Sequence, residues 1–399
     1  MLASETVDDQ RPGSPTKDSR AVLVRYTSAA ALARLADEGS RVALLLAALQ
    51  HGRGAAFGGI LVAALMVPHV AAAPVIGALA DRVRHRKLLY LAALVLYGLA
   101  LAGAAALVAP LPVAAIALAV LAGCVAPLLI GGLTSLLGEL APGNRERAFG
   151  LDAMSYGVAG IAGPAVAALV ASAFGALWAS AALTVACFIS AVFVATLPIR
   201  RSQPREAHRG GGLAALWRSP SLAAATAGTS LSQIGMGALP IVAAVLAGRA
   251  HDPALTGIAL SVMAAGNLAG ASAYTARPIR RRQPETVVLA CLLVLALPFA
   301  LMPLVGGRVW LLGLFAVAGL VNGPLFCALL AVRDREAPPA VRTQVFTVGA
   351  GLKVTAAAAG AALAGFATGL GAGVLLFAVA ASQLVAAGAG LLLVRRRDR

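Results

Sequence analysis

The sequence predicts an all-α integral membrane protein, with twelve transmembrane helices in two six-helix halves related by a parallel repeat. Composition is the first support: 60% of the 399 residues are hydrophobic and only 12% are charged. A soluble domain is nearer a quarter charged, and a disordered chain has the opposite bias, so both classes are excluded. The second is a series of unbroken apolar runs, each near the roughly 20 residues that cross a bilayer core as helix. They lack the short alternation of a membrane β-barrel. The third is the loop-by-loop alternation of basic residues.

The runs come in chain order. Residues 1–26 are polar at the start, with Pro12 and Pro15 and no apolar stretch of signal-peptide type, and read as a flexible cytoplasmic tail. Run 27–50 is the least apolar, because it holds Arg34, Asp37, Glu38 and Arg41. Runs 55–79, 87–108, 112–137, 148–172 and 176–198 follow and complete a first bundle over 27–198. Residues 199–218, RRSQPREAHRGGGLAALWRS, form the longest internal polar stretch and read as a cytoplasmic linker. Runs 219–247, 254–276, 286–305, 309–331, 343–368 and 373–394 make a second bundle over 219–394, and 395–399 is a short basic tail.

The net charge of +16 would suggest nucleic acid in a soluble protein. Sorted by loop, it does not. Of 32 Lys and Arg, 26 fall in the two tails, the mid-chain linker and the even-to-odd loops; Arg333, Arg335 and Arg342 belong here as the 10–11 loop. Only Arg53, Arg249 and Arg308 fall on the other side, and Arg34, Arg41 and Lys353 lie within runs. The positive-inside rule puts the rich face, and both termini, in the cytoplasm of an inner (plasma) membrane. The expected partners are the bilayer and a small molecule, not nucleic acid, and the chain is expected to be a monomer. The cysteines Cys124, Cys187, Cys291 and Cys327 fall in apolar runs without CxxC spacing, so they read as packing residues, with no disulfide and no metal site.

An internal repeat supports the two halves. An offset of 197 residues aligns Pro127 with Pro324, Leu128 with Leu325, Glu139 with Glu336 and Pro142 with Pro339. It also aligns Arg145 with Arg342, Phe149 with Phe346 and Gly163 with Gly360. Six helices separate the copies, so the repeat is parallel, an arrangement of transporters with a midplane site.

Between the second and third runs the chain reads GALADRVRHRK, from Gly77 to Lys87. This resembles the signature loop of the major facilitator superfamily, G-x-L-A-D-R-x-G-R-R/K. Gly77, Leu79, Ala80, Asp81, Arg82 and Arg86 match, and Arg84 stands where the family has Gly. The resemblance implies the fold of that family and a cytoplasmic gate, in which Asp81 docks near the start of helix 11. An anion is suited to a helix N-terminus, and Arg82 or Arg86 could pair with Glu139. SYGVAGIAGPAVAA, with Gly157, Gly160, Gly163 and Pro164, resembles the G-x-x-x-G-P-x-x-G-G motif of the drug-antiporter branch, with Ala167 and Ala168 in place of the last glycines. A plain small-residue helix contact is the competing reading. The branch's helix-4 arginine has no counterpart in 112–137.

Charges inside a membrane cost about 2.5–3.5 kcal/mol on insertion scales, so they are paired or functional. Asp37 lies three residues from Arg34 and four from Arg41, which places the three on one helical face, with Glu38 at its edge. Either the cluster only neutralises itself, or Asp37 or Glu38 carries a coupling proton. His69 is a second proton candidate or a hydrogen-bonded packing residue. Lys353 could attract an anionic substrate or pair with a carboxylate of helix 1. Asp152 reads as favouring the start of its helix. Gln233, Asn267, Asn322 and Gln383 are candidate cavity hydrogen-bonders or interhelical contacts.

The expected function is secondary transport by alternating access, as proton-coupled efflux of a small amphipathic drug or metabolite. No cofactor is expected beyond the proton; ATP is not expected as the energy source, because there is no phosphate-binding G-x-x-x-x-G-K-[ST] loop, and no catalytic constellation marks an enzyme. Two alternatives stay open: proton-coupled uptake, and a non-transporting receptor or assembly protein on the same fold.

Overall fold

The computed structural model describes residues 17–142, 145–199, 211–252, 254–278 and 282–395. Among these residues there is no strand, and twelve long helical rods carry the fold: α1 (Lys17–Gln50), α2 (Gly54–Arg82), α3 (Arg86–Leu107), α4 (Pro112–Leu140), α5 (Arg145–Phe174) and α6 (Ala176–Ala195), then α7 (Pro220–Arg249), α8 (Ala254–Ala276), α9 (Pro284–Leu301), α10 (Arg308–Glu336), α11 (Arg342–Phe366) and α12 (Ala372–Arg395). Eleven of these are long and apolar enough to cross a membrane. The remaining one, α1, is diluted by its four mid-helix charges but packs as a full member against α5 and α6.

Three boundaries differ from those expected. The first helix begins at Lys17 rather than near residue 27; Val22 and Leu23 pack half-buried against the core, and Tyr26 is buried. The rest of the expected tail, 1–16, lies outside the described residues, as do linker residues 200–210 and tail residues 396–399. The end of the linker is not extended: Gly211–Arg218 forms a short helix with Gly212, Ala215 and Leu216 buried. Its Gly212 amide donates to Gln344 Oε1 on α11 at 3.0 Å. The third difference is α10, which runs on to Glu336 and so takes Arg333 out of the loop and into the protein.

Small residues set the helix contacts, because lipid offers no hydrophobic drive for association and close approach must supply dispersion contact instead. The repeat mates Gly163 and Gly360 do the same work in each half. A Cβ at Gly163 would lie 2.7 Å from the Leu35 carbonyl oxygen of α1, and one at Gly360 would strike the Ile234 carbonyl of α7. Pro127 lacks an N–H, and α4 answers with a π turn over Leu128–Gly132. That turn brings Gly131 against the backbone of Phe346 in α11. Large apolar side chains such as Leu99, Leu169, Val192, Trp310 and Phe366 cover the outside, as a lipid-facing surface requires.

The halves meet chiefly through α2 against α11 and α5 against α8. Thr347 donates to the Ala73 carbonyl at 3.0 Å, and Phe149 stacks on Phe346 with centroids 6.3 Å apart. These contacts lie toward the end of the bundle that carries the α2–α3 and α10–α11 connections. The halves are closed on that side.

Candidate functional site

A cavity of about 240 Å³ sits between the halves. It is lined by Arg34, Asp37, Glu38 and Arg41 of α1, His69 of α2, Gln233 of α7, Arg333 of α10 and Lys353 of α11. A polar lobe of about 230 Å³ adjoins it and adds Asn267 and Asn322, sharing Gln233 with the first.

The α1 charges divide into two groups. Arg41 Nη2 donates to Asp37 Oδ2 at 3.1 Å, and its Nη1 to Glu38 Oε2 at 2.9 Å. Asp37 is deep, with Oδ1 accepting from Tyr97 at 3.2 Å, whereas Glu38 is about one third exposed. One guanidinium thus serves two carboxylates, and the trio has an excess negative charge.

Arg34 does not share that cluster, although its spacing predicts that it should. It turns to α5 and pairs with Asp152 at 2.7 Å. Both are buried; Tyr26 donates to Asp152 Oδ1 at 2.6 Å and Thr134 to Oδ2 at 2.9 Å. Arg34 also contacts Ser155 and lies 3.6 Å over the Tyr156 ring. The reason is geometric: three residues along α1 rotate a side chain by about 60° away from exact alignment, enough for Arg34 to reach the α5 side of the helix. Asp152 is therefore the partner of a buried cation, more than a helix-start residue. Nothing in the sequence connects two charges 118 positions apart on different helices.

Lys353 has no ion pair among the described residues, and its Nζ stands 4.2 Å from the Phe326 centroid. Phe326 in turn meets Tyr156 edge-on at 5.0 Å. Two cations therefore flank a central aromatic pair, Arg34 on Tyr156 and Lys353 on Phe326. Tyr156 and Lys353 are separated by the repeat offset of 197, so they occupy matching places in the two halves.

Arg333 is the residue that loop sorting misplaced. It is 2% exposed, and its Nε and Nη2 have no hydrogen-bond partner. The sequence RDRE at the end of a run reads as a topology signal, and only the extension of α10 to Glu336 reveals the cavity position. His69 is buried beside Asp37 and Arg41, and its Nε2 likewise lacks a partner. Of the two readings for Gln383, the structure has the interhelical one. It is buried between α12 and α7, accepting from Ser232 Oγ at 2.5 Å and donating to the Ser232 carbonyl at 3.2 Å, so it is an interhelical contact outside the cavity.

At the closed face, Asp81 Oδ1 accepts from the Thr343 amide and Oδ2 from the Gln344 amide, each at 3.0 Å. These are free amides of the first turn of α11, where a carboxylate is favoured. Gly77 permits the approach, since a Cβ there would lie 2.8 Å from Gln344 Cα. Arg86 donates to Glu139 at 2.8 Å and to Thr343 Oγ1 at 3.4 Å, and Arg82 is exposed at the end of α2. Sequence reading did not single out Asp334, which receives Arg145 at 3.1 Å and Arg342 at 2.9 Å. The signal for it was the repeat pair Arg145 and Arg342.

Of the α5 motif, Gly163 makes the contact with α1, and Pro164 lies one residue on within the same helix. Gly160 does not pack: it is exposed, and a Cβ there meets nothing within 4 Å among the described residues. The four cysteines are free thiols. No group of three His, Cys, Asp or Glu that could hold a metal occurs among the described residues.

The family model of the Major Facilitator Superfamily matches residues 27–361. An uncharacterized MFS-type transporter of Sinorhizobium fredii, y4rN, is 27% identical over 354 residues, covering 84% of this chain and 86% of that protein. Among solved structures, a bacterial homologue of the iron transporter ferroportin in an outward-facing state aligns with a TM-score of 0.76 at 14% identity, over 93% of this chain and 99% of that one. The E. coli fucose:proton symporter FucP (N162A) aligns with a TM-score of 0.74 at 12% identity, over 94% and 99%.

Proposed function

The chain belongs to the major facilitator superfamily and is a multi-pass membrane transporter working by alternating access, and from that premise we propose that it couples a proton to the export of a small amphipathic compound across the plasma membrane, as a monomer with both termini in the cytoplasm. The basic excess at the termini face supports the orientation. With that face closed, the cavity belongs to the outward side of the cycle.

The observation that carries the coupling is the shared guanidinium of Arg41. Asp37 and Glu38 together hold one more negative charge than Arg41 neutralises, and Glu38 is open to the cavity. Binding one proton cancels that excess; releasing it restores it. The occupancy of the pair therefore changes the charge of α1 by one unit, at a place that rocking exposes to each side in turn. Export as the direction draws its support from the α5 sequence around Gly163 and Pro164. Uptake with the proton is the second reading, favoured by the unpaired cations Arg333 and Lys353, which suit an opposite charge loading together with the proton.

The test uses everted membrane vesicles acidified by respiration, with an acridine dye reporting interior pH. Matched amphiphiles on one aromatic skeleton, bearing a carboxylate, an amine or an amide, are added in turn. Export predicts substrate-dependent loss of interior protons, abolished in the Asp37→Asn, Glu38→Gln double variant. Unchanged proton movement in that variant would sink the coupling role. Proton uptake with substrate in right-side-out vesicles, without exchange in everted ones, would select the uptake reading.

A further inference from the structure

Arg333 and Lys353 are charges the coupling reading does not use. Each other charge near the cavity has an opposite partner: Arg34 has Asp152, and Arg41 has both Asp37 and Glu38. The Arg333 side chain makes no ion pair among the described residues and its Nε and Nη2 have no hydrogen-bond partner, and Lys353 has only the face of Phe326. The neighbouring Asp334 does not help, because Arg145 and Arg342 occupy both of its oxygens.

The two cations are also adjacent. The Arg333 guanidinium lies against Gly349, where a Cβ would come within 2.6 Å of its Cζ. Lys353 is four residues further along α11, so it stands on the same face one turn away. Both line the same cavity, with Leu330, Phe346 and Val354 as apolar neighbours. Guanidinium donors form a planar fork that matches carboxylate and phosphate oxygens. Buried donors are ordinarily satisfied, and charged ones inside a membrane are paired.

We propose that the transported compound carries an anionic head group, a carboxylate or a phosphate, which bridges Arg333 and Lys353 while its apolar body lies along Leu330, Phe346 and Val354. The proposal rests on the transport reading only in taking this cavity as the substrate site. The carboxylates of α1 face the cavity from the opposite half, so they set the polarity of the bound molecule, head toward α10 and α11.

The experiment measures binding at one fixed pH with no gradient, using the full chain in lipid nanodiscs and the same carboxylate, amine and amide series, with a phosphate member added. Calorimetry and thermal stabilisation are read together. The expected result is that carboxylate or phosphate members bind and amine and amide members do not. Arg333→Gln and Lys353→Gln should each weaken that binding at least tenfold, equivalent to about 1.4 kcal/mol, while Arg333→Lys and Lys353→Arg recover part of it and establish that the site is folded. Preference for an amine or amide, no binding by any anionic member, or equal affinity in the glutamine variants overturns the proposal. The outcome is separate from proton coupling: an anion that binds but moves no proton leaves this site standing and removes the coupling, and proton exchange driven by an amine does the reverse.

Discussion

Replacing Asp81 with Asn should open the termini face. In the closed form the carboxylate accepts two backbone N–H bonds at 3.0 Å from the first turn of α11 and is 6% exposed. Hydrogen bonds to a charged group contribute about 1.5–3 kcal/mol each. The carboxamide keeps one acceptor oxygen but turns an NH2 toward the second amide, and it loses the favourable placement of charge at a helix N-terminus. The net loss is about 2–3 kcal/mol, or roughly a 30- to 150-fold shift between states, since about 1.4 kcal/mol is tenfold. If the open form of the parent is populated at about 1%, the variant should hold it at between about a quarter and three fifths. Spin labels at Arg84 and Arg277, exposed on opposite halves, report this as a second, longer distance in pulsed electron resonance, in a background with the four free cysteines replaced. A distance distribution identical to that of the parent would refute the latch.

Two further outcomes follow from buried contacts. Arg34→Met leaves the Asp152 carboxylate without its cation, and breaking such a buried pair costs about 3–5 kcal/mol; Arg34→Met with Asp152→Leu should regain much of the loss in detergent unfolding, and a single variant as stable as the parent would argue against the pairing. On α5 the two motif glycines should behave oppositely. Gly163→Val meets the α1 backbone and should prevent recovery of folded protein, whereas Gly160→Ala meets nothing within 4 Å and should raise helix stability by up to about 1 kcal/mol, read from the same unfolding curves.

The division between what the sequence revealed and what it concealed follows from the range of the interactions. Helices were legible because a bilayer leaves the backbone no other way to bond, so apolar length alone announces them. Asp81 was legible because a recognisable loop places it and a helix N-terminus attracts an anion. The α1 trio was partly legible: Asp37 to Arg41 is a contact within one helix, and such spacing can be read directly. The Arg34 to Asp152 pair could not be, because it depends on which face of α1 meets α5, a consequence of glycines on both helices. Arg333 was concealed for a different reason. Basic residues near a run end carry topology, and the same residue one turn deeper carries chemistry; the distinction is a helix end, the least readable feature of a sequence.

The convergence of Arg145 and Arg342 on Asp334 explains how a closed face can reopen without stranding a charge. The arginines are repeat mates at the starts of α5 and α11, yet they meet a single carboxylate that only the second half provides, since the repeat places Leu137 opposite it. The bond from Arg145 crosses between the halves, and the bond from Arg342 stays within one. When the halves part, Asp334 loses Arg145 but keeps Arg342, so no uncompensated carboxylate remains in a buried position. Arg145 is 47% exposed and returns to solvent readily, whereas Asp334, 4% exposed, stays paired with Arg342. Asp81, in contrast, gives up both of its amide partners at once when α2 leaves α11. The closed face therefore has a weak, reversible lock at Asp334 and a strong one at Asp81, and the free energy of opening is concentrated where one carboxylate caps the helix that also carries Lys353.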